Sequence, residues 1–574
     1  MPAKAKTKRA GGATPTASSK TARARLQRGK KSAPSKGAKK MTRKRVPATS
    51  KPTKAPARAL APAKVVAAAP AAAAHVGGGK RGRFVQKGRG VVDVHSGKSD
   101  TCHVYDDGVT LFQFTLNQTN IKRNNNKFYI VQLLEDDISG KLFVYTRWGR
   151  VGHIGSDCLQ PHAGIQDAME EFCGKFYKKT ANHWLDRHHF KKVPLKYEYM
   201  DINYGKADEA KRAKGPAAKK GKPEKTITSK LPEPVQELMR LISCRATMDQ
   251  VVRELEVDTA RMPLGKISKV QILRAFGVLK KIENNLGKRR EQLVDLSSQF
   301  YTLIPHSFGM QRPPVIDTKE MVNQKKKMLE TLNELEIASK LLGGIKDNEA
   351  HPLDNVYDKI KCEIQPLKPS SKVYKRIIKY VENTQGPTHR SYTLKVTQVF
   401  TLKREGEEER YAPFKRMSNR RMLWHGSPVT NFLGILSQGL RIAPPEAPST
   451  GYMFGKGIYL SDVCSKSANY CRPSSNNGNT GLLLLCEVAL GRQRMYNNAC
   501  YMLKPQEGSD STKGIGRFYP DPGEAETVSD VMWPNGRIRE DVDTTSSLIY
   551  PEYIIYDVNQ CVLRYLVQVT FEYK

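Results

Sequence analysis

The chain lacks any run of about 18 apolar residues, the length that a membrane-spanning helix needs, so no part of it is expected to cross a membrane. Its ten cysteines contain no C-x-x-C pair, which argues against zinc ribbons and fingers and against a disulfide framework in a chain of 574 residues. The first residues lack the apolar core of a secretory signal. A mitochondrial transit peptide is harder to exclude, but the abundance of lysine and proline fits its amphipathic helix poorly. Reduced thiols in a cytosolic or nuclear protein fit this pattern best.

Acidic residues are absent from residues 1–90, which contain 25 Lys and Arg. This arm supplies +25 of the formal net charge of +40 and leaves +15 for residues 91–574. Aromatic residues are almost absent as well, so the arm cannot bury enough apolar surface to offset the entropy of ordering, and we predict that it is disordered. Its expected partners are polyanions, namely DNA, RNA or an anionic membrane surface. The basic stretch 39–45 is typical of a nuclear import signal or of a solvated tail.

The length predicts about three packed domains, and changes in composition set their limits. Residues 91–205 contain two β-rich runs, 128–134 and 142–145, around a turn-like segment, which predicts a hairpin, and then a helix over 168–184. Residues 206–227 form a basic linker with Gly-Pro and Lys-Gly-Lys-Pro breakers.

Residues 228–350 change to a helical period, and two apolar stripes there predict an all-α bundle. The stripes consist of Val235, Leu238, Met239 and Ile242, and of Met328, Leu332, Leu335, Ala338 and Leu342. Residues 351–574 return to strands, and the alternation from residue 563 to 571 is typical of a sheet with one buried face. The predicted fold class is multidomain: a disordered basic arm, an α+β domain, a helical bundle and a β-rich α+β domain.

Four short stretches of the last region combine small residues with reactive ones: 423–427 (LWHGS), 451–459 (GYMFGKGIY), 465–471 (SKSANYC) and 550–553 (YPEY). The second is not a phosphate-binding P-loop, because only three residues separate its first two glycines and a glycine follows its lysine. No G-x-S-x-G elbow supplies a hydrolase nucleophile, and the cysteines lack metal-ligand spacing. Taken singly, each reactive residue is equally compatible with a structural role.

Together these stretches resemble the poly(ADP-ribose) polymerases, which carry a His, Tyr and Glu triad in this order and in these surroundings. The resemblance covers nearly all of residues 365–574. It implies an NAD-consuming ADP-ribosyl transferase whose catalytic triad consists of His425, Tyr459 and Glu552. Breaking the nicotinamide–ribose bond builds positive oxocarbenium character, which a carboxylate near that ribose stabilises. No metal is expected, because the leaving group departs neutral and Glu552 supplies the charge.

The resemblance also assigns residues around the substrate. NAD is expected to contact His425, Gly426, Ser427, Asn431, Arg441, Tyr459, Ser467 and Tyr470. Within this set, His425 holds the adenine-side ribose, Gly426 and Ser467 hold the nicotinamide carboxamide, and the two tyrosines flank the planar leaving group. Family members that make polymer bind the growing chain with residues that match Met453, Lys466 and Tyr550, which favours polymer over single transfer. The chain departs from the family pattern at residues 460–461 and 551, which bears on acceptor preference.

The helical region resembles the family's regulatory domain at 262–266, 300–306 and 328–342, which implies an autoinhibitory switch released by damaged DNA; a passive scaffold is the alternative. Residues 91–205 resemble the WGR domain, with the sequence RWGRVG at 147–152. A broken duplex exposes terminal phosphate and an unpaired base face, which suit basic, amide and aromatic groups. The expected DNA contacts are Asn126, Lys127, Trp148, Arg150 and Tyr197.

The sequence therefore predicts a nuclear poly(ADP-ribose) polymerase that DNA breaks activate, of the zinc-finger-lacking, type-2-like subgroup. The expected partners are DNA nicks or ends with a 5′-phosphate, acceptor proteins that include the chain itself and histones, and an accessory factor that redirects modification to serine; no membrane partner is expected. Two alternatives remain open, a mono-ADP-ribosyl transferase of the same fold and a catalytically weak DNA- or chromatin-binding scaffold.

Overall fold

The computed structural model describes residues 86–87, 90–202, 228–255, 267–343 and 351–574. Several predictions fall on other residues: the disordered arm up to residue 85, its import-like stretch, the basic linker, and the regulatory-domain motif at 262–266. None of the described helices is long and apolar enough to cross a membrane.

The N-terminal sheet region, residues 86–202, is built on a six-stranded antiparallel sheet in the order β7-β6-β5-β4-β8, with β3 paired to β5. Its elements are β1 (Gln86–Lys87), β2 (Gly90–Val91), β3 (Cys102–Val104), β4 (Gln113–Asn120), β5 (Asn125–Asp136), β6 (Leu142–Arg150), β7 (Ser156–His162), α1 (Ile165–Thr180) and β8 (Glu198–Tyr199). The predicted hairpin is confirmed by β5 and β6. The helix ends four residues earlier than predicted, because Ala181 adopts the left-handed conformation (φ 57°) and its N–H caps the Tyr177 carbonyl.

Aromatic side chains fill the space between this sheet and α1. Phe114, Phe172, Phe176 and Trp184 are buried, and the centroids of neighbouring rings lie 4.9 to 5.8 Å apart, mostly edge to face. Such pairs stabilise beyond their buried area and hold one geometry. Trp184 therefore belongs to the core, whereas Trp148 on β6 stays 40% exposed.

The helical bundle, residues 228–343 without 256–266, contains α2 (Glu233–Ile242), α3 (Arg245–Glu254), α4 (Lys269–Glu283), α5 (Arg290–Leu303) and α6 (Lys319–Leu342). Both predicted apolar stripes are buried in it. Ser268 and Thr318 begin α4 and α6 with side-chain caps, since each hydroxyl accepts a hydrogen bond from the backbone N–H three residues on. The core of α6 is continuous with apolar side chains of the last region, so the bundle packs directly on it.

The C-terminal sheet region, residues 351–574, contains a seven-stranded sheet, β17-β18-β11-β13-β21-β10-β9, and a four-stranded sheet, β12-β20-β15-β14. Its helices are α7 (Pro352–Ile360), α8 (Lys372–Asn383), α9 (Glu407–Tyr411), α10 (Phe432–Gln438) and α11 (Cys464–Ala468). Its strands are β9 (Cys362–Pro366), β10 (Tyr392–Arg404), β11 (Arg420–Ser427), β12 (Ile458–Leu460), β13 (Thr480–Ala489), β14 (Gln493–Tyr496), β15 (Ser511–Gly514), β16 (Phe518–Pro520), β17 (Glu526–Val528), β18 (Val531–Trp533), β19 (Ile538–Glu540), β20 (Glu552–Ile555) and β21 (Cys561–Tyr573).

The prediction of one buried sheet face is wrong for β21. Val567, Val569 and Phe571 pack on one side of the sheet with residues of α8, whereas Leu563 and Leu566 pack on the other side in the core shared with the bundle. A register shift in the pairing with β13 breaks the alternation between these two groups. The large sheet is thus covered on both faces, and the small sheet with β12 and β20 adjoins it at β11, where Trp424 and Ser461 form a β-bridge.

Candidate active site

Three short strands bring the predicted triad together. β11 carries His425, β12 carries Tyr459, and β20 begins at Glu552. β12 and β20 are antiparallel neighbours, with Tyr459 opposite Ile554. The His425 ring reaches across from β11, where its Nδ1 lies 3.0 Å from the Tyr459 carbonyl oxygen. Residues that are 127 positions apart along the chain therefore share one site.

The bond to the Tyr459 carbonyl sets the tautomer of His425. A carbonyl oxygen only accepts, so Nδ1 carries the proton and Nε2 presents its lone pair. Burial lowers the pKa of His425, against the opposing effect of that hydrogen bond. The ring is accordingly neutral at physiological pH and suited to accept a hydrogen bond from a hydroxyl at Nε2.

The Tyr459 hydroxyl makes two hydrogen bonds within the protein. It donates to the Gly455 carbonyl oxygen at 2.8 Å and accepts from the Phe454 N–H at 3.0 Å. Burial raises the pKa of Tyr459 well above its ordinary value, although the Phe454 bond lowers it. The hydroxyl stays protonated and ties the loop before β12 to the strand, which leaves the ring face for packing.

Glu552 forms a largely buried ion pair. Its Oε1 lies 3.0 Å from Lys466 Nζ, and Lys466 also donates to the carbonyl oxygens of Tyr550 (2.8 Å) and Pro551 (3.2 Å). Burial lowers the pKa of Lys466, while the Glu552 carboxylate raises it. The buried Oε2 receives no hydrogen bond from any residue that the structure describes. Such an oxygen is costly to leave bare and is open to a hydroxyl or to a developing positive charge.

A narrow recess lies between β11 and α11. Gly426 is required there, because a Cβ would overlap the Ser467 carbonyl oxygen. The Ser467 hydroxyl is buried and donates to the Trp424 carbonyl oxygen at 3.1 Å. Tyr470, one turn further, is 56% exposed. The backbone of Gly426 thus lies close against Ser467, and the exposed Tyr470 follows three residues later; their contact with NAD stays a prediction.

Three other predicted NAD contacts lie toward the helical bundle. The Asn431 amide donates to the Ser427 hydroxyl at 2.9 Å. The Arg441 guanidinium pairs closely with Glu334 of α6. Burial raises the pKa of Glu334, against the charge of Arg441. One predicted cofactor residue, Arg441, is therefore bound to the bundle in this conformation.

The residues predicted to bind the growing ADP-ribose chain differ in exposure. Met453 is partly buried beside Phe454, and Lys466 is engaged with Glu552. Tyr550 is buried: its hydroxyl accepts from the Thr388 N–H at 3.0 Å and shares a hydrogen bond of 2.7 Å with Thr388 Oγ1. Gly386 makes room for its ring, which a Cβ would overlap. Tyr550 thus braces the segment that leads into Glu552.

The bundle also holds the loop at 449–452, a contact that sequence reasoning missed. Glu283, the last residue of α4, accepts hydrogen bonds from the backbone N–H and the hydroxyl of both Ser449 and Thr450. Lys326 donates to the Thr450 carbonyl oxygen at 2.8 Å and lies 3.6 Å from the centroid of the Tyr452 ring. Burial acts to raise the pKa of Glu283, but the hydrogen bonds from Ser449 and Thr450 outweigh this effect and lower the pKa below its ordinary value.

A charged stripe on α6 faces the same region. Lys326, Glu330 and Glu334 are spaced by four residues and so lie on one face of the helix. Glu330 accepts from the Tyr452 hydroxyl at 2.6 Å. The signal was present in the sequence as polar residues beside the apolar stripe, but charged residues on a helix usually face solvent.

The predicted DNA contacts divide into two groups. Lys127 and Trp148 are exposed, and Tyr197 packs 6.1 Å from the ring of Tyr129. Asn126 is fully buried and donates to the His306 carbonyl oxygen of the bundle at 2.9 Å. Arg150 donates to the carbonyl oxygens of residues 309 (2.5 Å) and 311 (2.7 Å).

The contact of Asn126 and Arg150 with the bundle extends along β4. Asn117 donates to the carbonyl oxygens of Tyr301 (3.0 Å) and Thr302 (2.9 Å), at the end of α5. The N-terminal sheet region and the bundle therefore meet through buried side-chain amides and backbone carbonyls.

As for metal sites, the described residues contain no group of three His, Cys, Asp or Glu that could hold an ion.

Comparison with known proteins places all three regions in one family. A model described as "Poly(ADP-ribose) polymerase catalytic domain" matches residues 371–571, and one described as "Poly(ADP-ribose) polymerase, regulatory domain" matches residues 229–357. A third, "WGR domain", matches residues 112–191. The matches define a multidomain protein with a WGR, a regulatory and a catalytic domain.

Similar proteins carry the same names. Poly [ADP-ribose] polymerase 1 of Gallus gallus is 43% identical over 499 residues, which cover 86% of this chain and 48% of that protein. Poly [ADP-ribose] polymerase 2-A of Oryza sativa is 42% identical over 503 residues, 85% of this chain and 75% of that protein. Poly [ADP-ribose] polymerase 2 of Arabidopsis thaliana is 42% identical over 482 residues, again 75% of its length.

The chain belongs to the poly(ADP-ribose) polymerase family. It spans about half the length of the type 1 relatives and three quarters of the plant type 2 relatives, in line with the type-2-like arrangement.

Proposed function

We propose that the chain is a DNA-break-activated poly(ADP-ribose) polymerase, which transfers ADP-ribose from NAD to acceptor proteins and to growing ADP-ribose chains and releases nicotinamide. One observation carries the proposal. Glu552 presents a buried carboxylate oxygen without a hydrogen-bond partner among the described residues, beside Lys466, in a site that also holds His425 and Tyr459. That arrangement suits a reaction in which positive charge develops on a ribose.

The residues divide the chemistry between them. His425, neutral and with its acceptor at Nε2, would hold a ribose hydroxyl, and the recess at Gly426 and Ser467 would hold the carboxamide. The bond between the ribose carbon and the nicotinamide nitrogen breaks, and nicotinamide leaves with the electron pair. A hydroxyl of the acceptor forms the new bond to that carbon. Its proton passes to Glu552 or to solvent, so that charge balances.

The helical bundle is proposed as the brake on this site. Its α6 holds Arg441 through Glu334, and α4 and α6 hold the loop at 449–452 through Glu283, Lys326 and Glu330. A residue expected to bind NAD is occupied by these contacts. NAD would therefore bind well only when the bundle yields, which is a population shift between two states.

DNA binding is proposed for the N-terminal sheet region and for the basic arm. The arm contributes +25 of the net charge, which favours sequence-independent attraction to phosphates. Exposed Lys127 and Trp148 suit a phosphate and a base face. Asn126 and Arg150 donate hydrogen bonds to the bundle, so DNA that binds beside them would act on the contact between this region and the inhibitory bundle.

Polymer is favoured over single transfer because Met453, Lys466 and Tyr550 all occur where polymer-forming relatives have them. Nuclear location, nicks or ends with a 5′-phosphate, acceptors that include the chain itself and histones, and an accessory factor that directs modification to serine are further parts of the proposal.

The test is incubation of the full chain with labelled NAD, with and without nicked DNA that carries a 5′-phosphate. We expect a ladder of products that depends on DNA, and none from Glu552→Gln, whose DNA binding stays near that of the parent. A single modified band would favour the mono-ADP-ribosyl transferase. Polymer from Glu552→Gln would refute the role of Glu552, and output independent of DNA would refute the brake. A chain that binds DNA but consumes no NAD would be the scaffold.

A further inference from the structure

A second buried network lies behind Glu552 on the opposite side of β20. Tyr553, the next residue, points away from Glu552 because successive side chains of a strand alternate. Tyr553 is fully buried, and its hydroxyl donates to Asp462 Oδ2 at 2.7 Å. Burial raises the pKa of Tyr553 well above its ordinary value, so the hydroxyl remains a donor.

Two cations lie over the Tyr553 ring. The guanidinium carbon of Arg421 lies 5.7 Å from the ring centroid, and Lys513 Nζ lies 5.2 Å from it. Arg421 also donates to the Tyr553 hydroxyl at 3.3 Å. That hydroxyl thus accepts from Arg421 and donates to Asp462. The other carboxylate oxygen of Asp462 is buried and receives no hydrogen bond within the part of the chain that the structure describes.

The network joins the strands that carry the site. Tyr553 lies opposite Leu460 of β12 and opposite Lys513 of β15. Asp462 follows β12 by two residues, and Ser461 between them donates to the carbonyl oxygen of Pro551 at 3.2 Å. The hydrogen bond from Tyr553 to Asp462 therefore closes a ring that holds the end of β12 against the start of β20.

The network also bears on the charge at the site. Lys466 pairs with Glu552, whereas Lys513 and Arg421 lie at Tyr553 on the other side of β20, where Asp462 is the neighbouring carboxylate. Burial lowers the pKa of Lys466, and Glu552 and then Asp462 raise it, so the charge of Asp462 is felt at the catalytic ion pair. Loss of Asp462 would therefore leave the positive charge of Lys466 less compensated where positive charge has to develop.

We propose that Asp462 and Tyr553 are positioning residues for the transfer reaction: the hydrogen bond between them sets the placement of the Glu552 carboxylate, and the charge of Asp462 offsets the neighbouring cations. The inference rests on the proposed function. It assigns no contact with NAD to either residue, so it predicts an effect on the rate of transfer and not on the binding of NAD.

The test compares Tyr553→Phe and Asp462→Asn in the full chain. The first removes one hydroxyl and keeps the ring; the second keeps a hydrogen-bond acceptor and removes the charge. Tyr411→Phe is the matched control, because the Tyr411 hydroxyl is also buried and donates to a carboxylate, that of Glu487, at 3.0 Å. This control network belongs to α9 and β13 and does not include β12 or β20.

Nicotinamide release is measured against NAD concentration with saturating nicked DNA, together with the thermal midpoint of each variant. We expect kcat to fall by at least about tenfold in both variants and the KM for NAD to change by less than about twofold, because displacement of a reacting group costs rate more than binding. Tyr411→Phe should keep the parental kcat even if its thermal midpoint falls.

A parental kcat in either folded variant overturns the proposal, and so does an equal fall of kcat in Tyr411→Phe, which would point to a loss of general stability. If Asp462→Asn does not fold, Tyr553→Phe decides, since it changes a single oxygen. Failure of the proposed function can be distinguished from failure of this positioning role, because the parent itself would then release no nicotinamide.

Discussion

Lys466 Nζ lies 3.0 Å from Glu552 Oε1, and each side chain is only 16% exposed. The pair links a residue expected to bind the growing chain to the carboxylate expected to drive transfer. Removing one partner of such a pair leaves the other charge uncompensated, which costs more than the pair itself contributes. The site is therefore sensitive to both members, in different ways.

Lys466→Met is expected to shorten the products more than it slows the first transfer. The Glu552 side chain itself is unchanged in this variant, but the part of the site expected to bind the growing chain loses its cation. With labelled NAD we expect the longest products to disappear from the gel, while nicotinamide release falls by less than about tenfold. A ladder of parental length would contradict the role of Lys466 in binding the growing chain.

Glu283→Gln is expected to raise activity without DNA. The charged carboxylate accepts four hydrogen bonds from Ser449 and Thr450, and the neutral amide accepts them more weakly. A loss of about 1.4 kcal/mol from the contact would increase the open population about tenfold. The control is Glu291→Gln, an exposed carboxylate of the same bundle. Equal basal nicotinamide release in parent and Glu283→Gln would argue against this contact as part of the brake.

Stability is expected to fall on acidification because of His306. It is fully buried at the contact with the N-terminal sheet region, and burial, with Lys325 beside it, lowers its pKa from 6.5 to about 3. Between these values the unfolded chain binds the extra proton, so stability rises with pH through this window and is lost as pH falls below 6.5.

His306→Gln should remove this dependence. The free energy of unfolding of the parent should fall relative to that of the variant by about 1.4 kcal/mol for each pH unit below the unfolded-state pKa. Urea unfolding at neutral and mildly acidic pH measures it. If the free energy of unfolding changes equally with pH in the two proteins, His306 is not the group responsible.

Lys127→Ala and Arg150→Ala are expected to separate DNA affinity from activation. Lys127 is exposed, so its loss should weaken binding to all sequences and reduce the salt dependence by about one phosphate contact. Arg150 bonds to backbone carbonyls at 309 and 311 of the bundle. Its loss should lower nicotinamide release even at saturating DNA. Full activation of Arg150→Ala at saturating DNA would leave it with a binding role alone.

Much of the fold was predictable from sequence because burial leaves a periodic trace. The stripe on α2 and the hairpin of β5 and β6 were confirmed, since spacing alone places apolar residues on one face. The predicted end of α1 was wrong, because the left-handed turn at Ala181 has no glycine to mark it. The single buried face of β21 was wrong because a bulge interrupts its alternation.

The site divides in the same way. The motifs around His425, Tyr459 and Glu552 are local, and the family resemblance identified them together; their roles stay predictions. The hydrogen bonds of Tyr550 and Arg441 were not foreseeable, because their partners, Thr388 and Glu334, lie in distant segments without a motif.

The sequence by itself determined the kind of protein: a basic arm, three regions with distinct periods and motifs of one family. Only the tertiary structure decided what restrains and supports the site. Asp462 and Tyr553 are 91 residues apart, and Glu283 meets Thr450 across 167. Composition and spacing record whether a side chain is buried. They do not record which partner it meets, because that depends on sheet register and on the rotation of each helix against its neighbours.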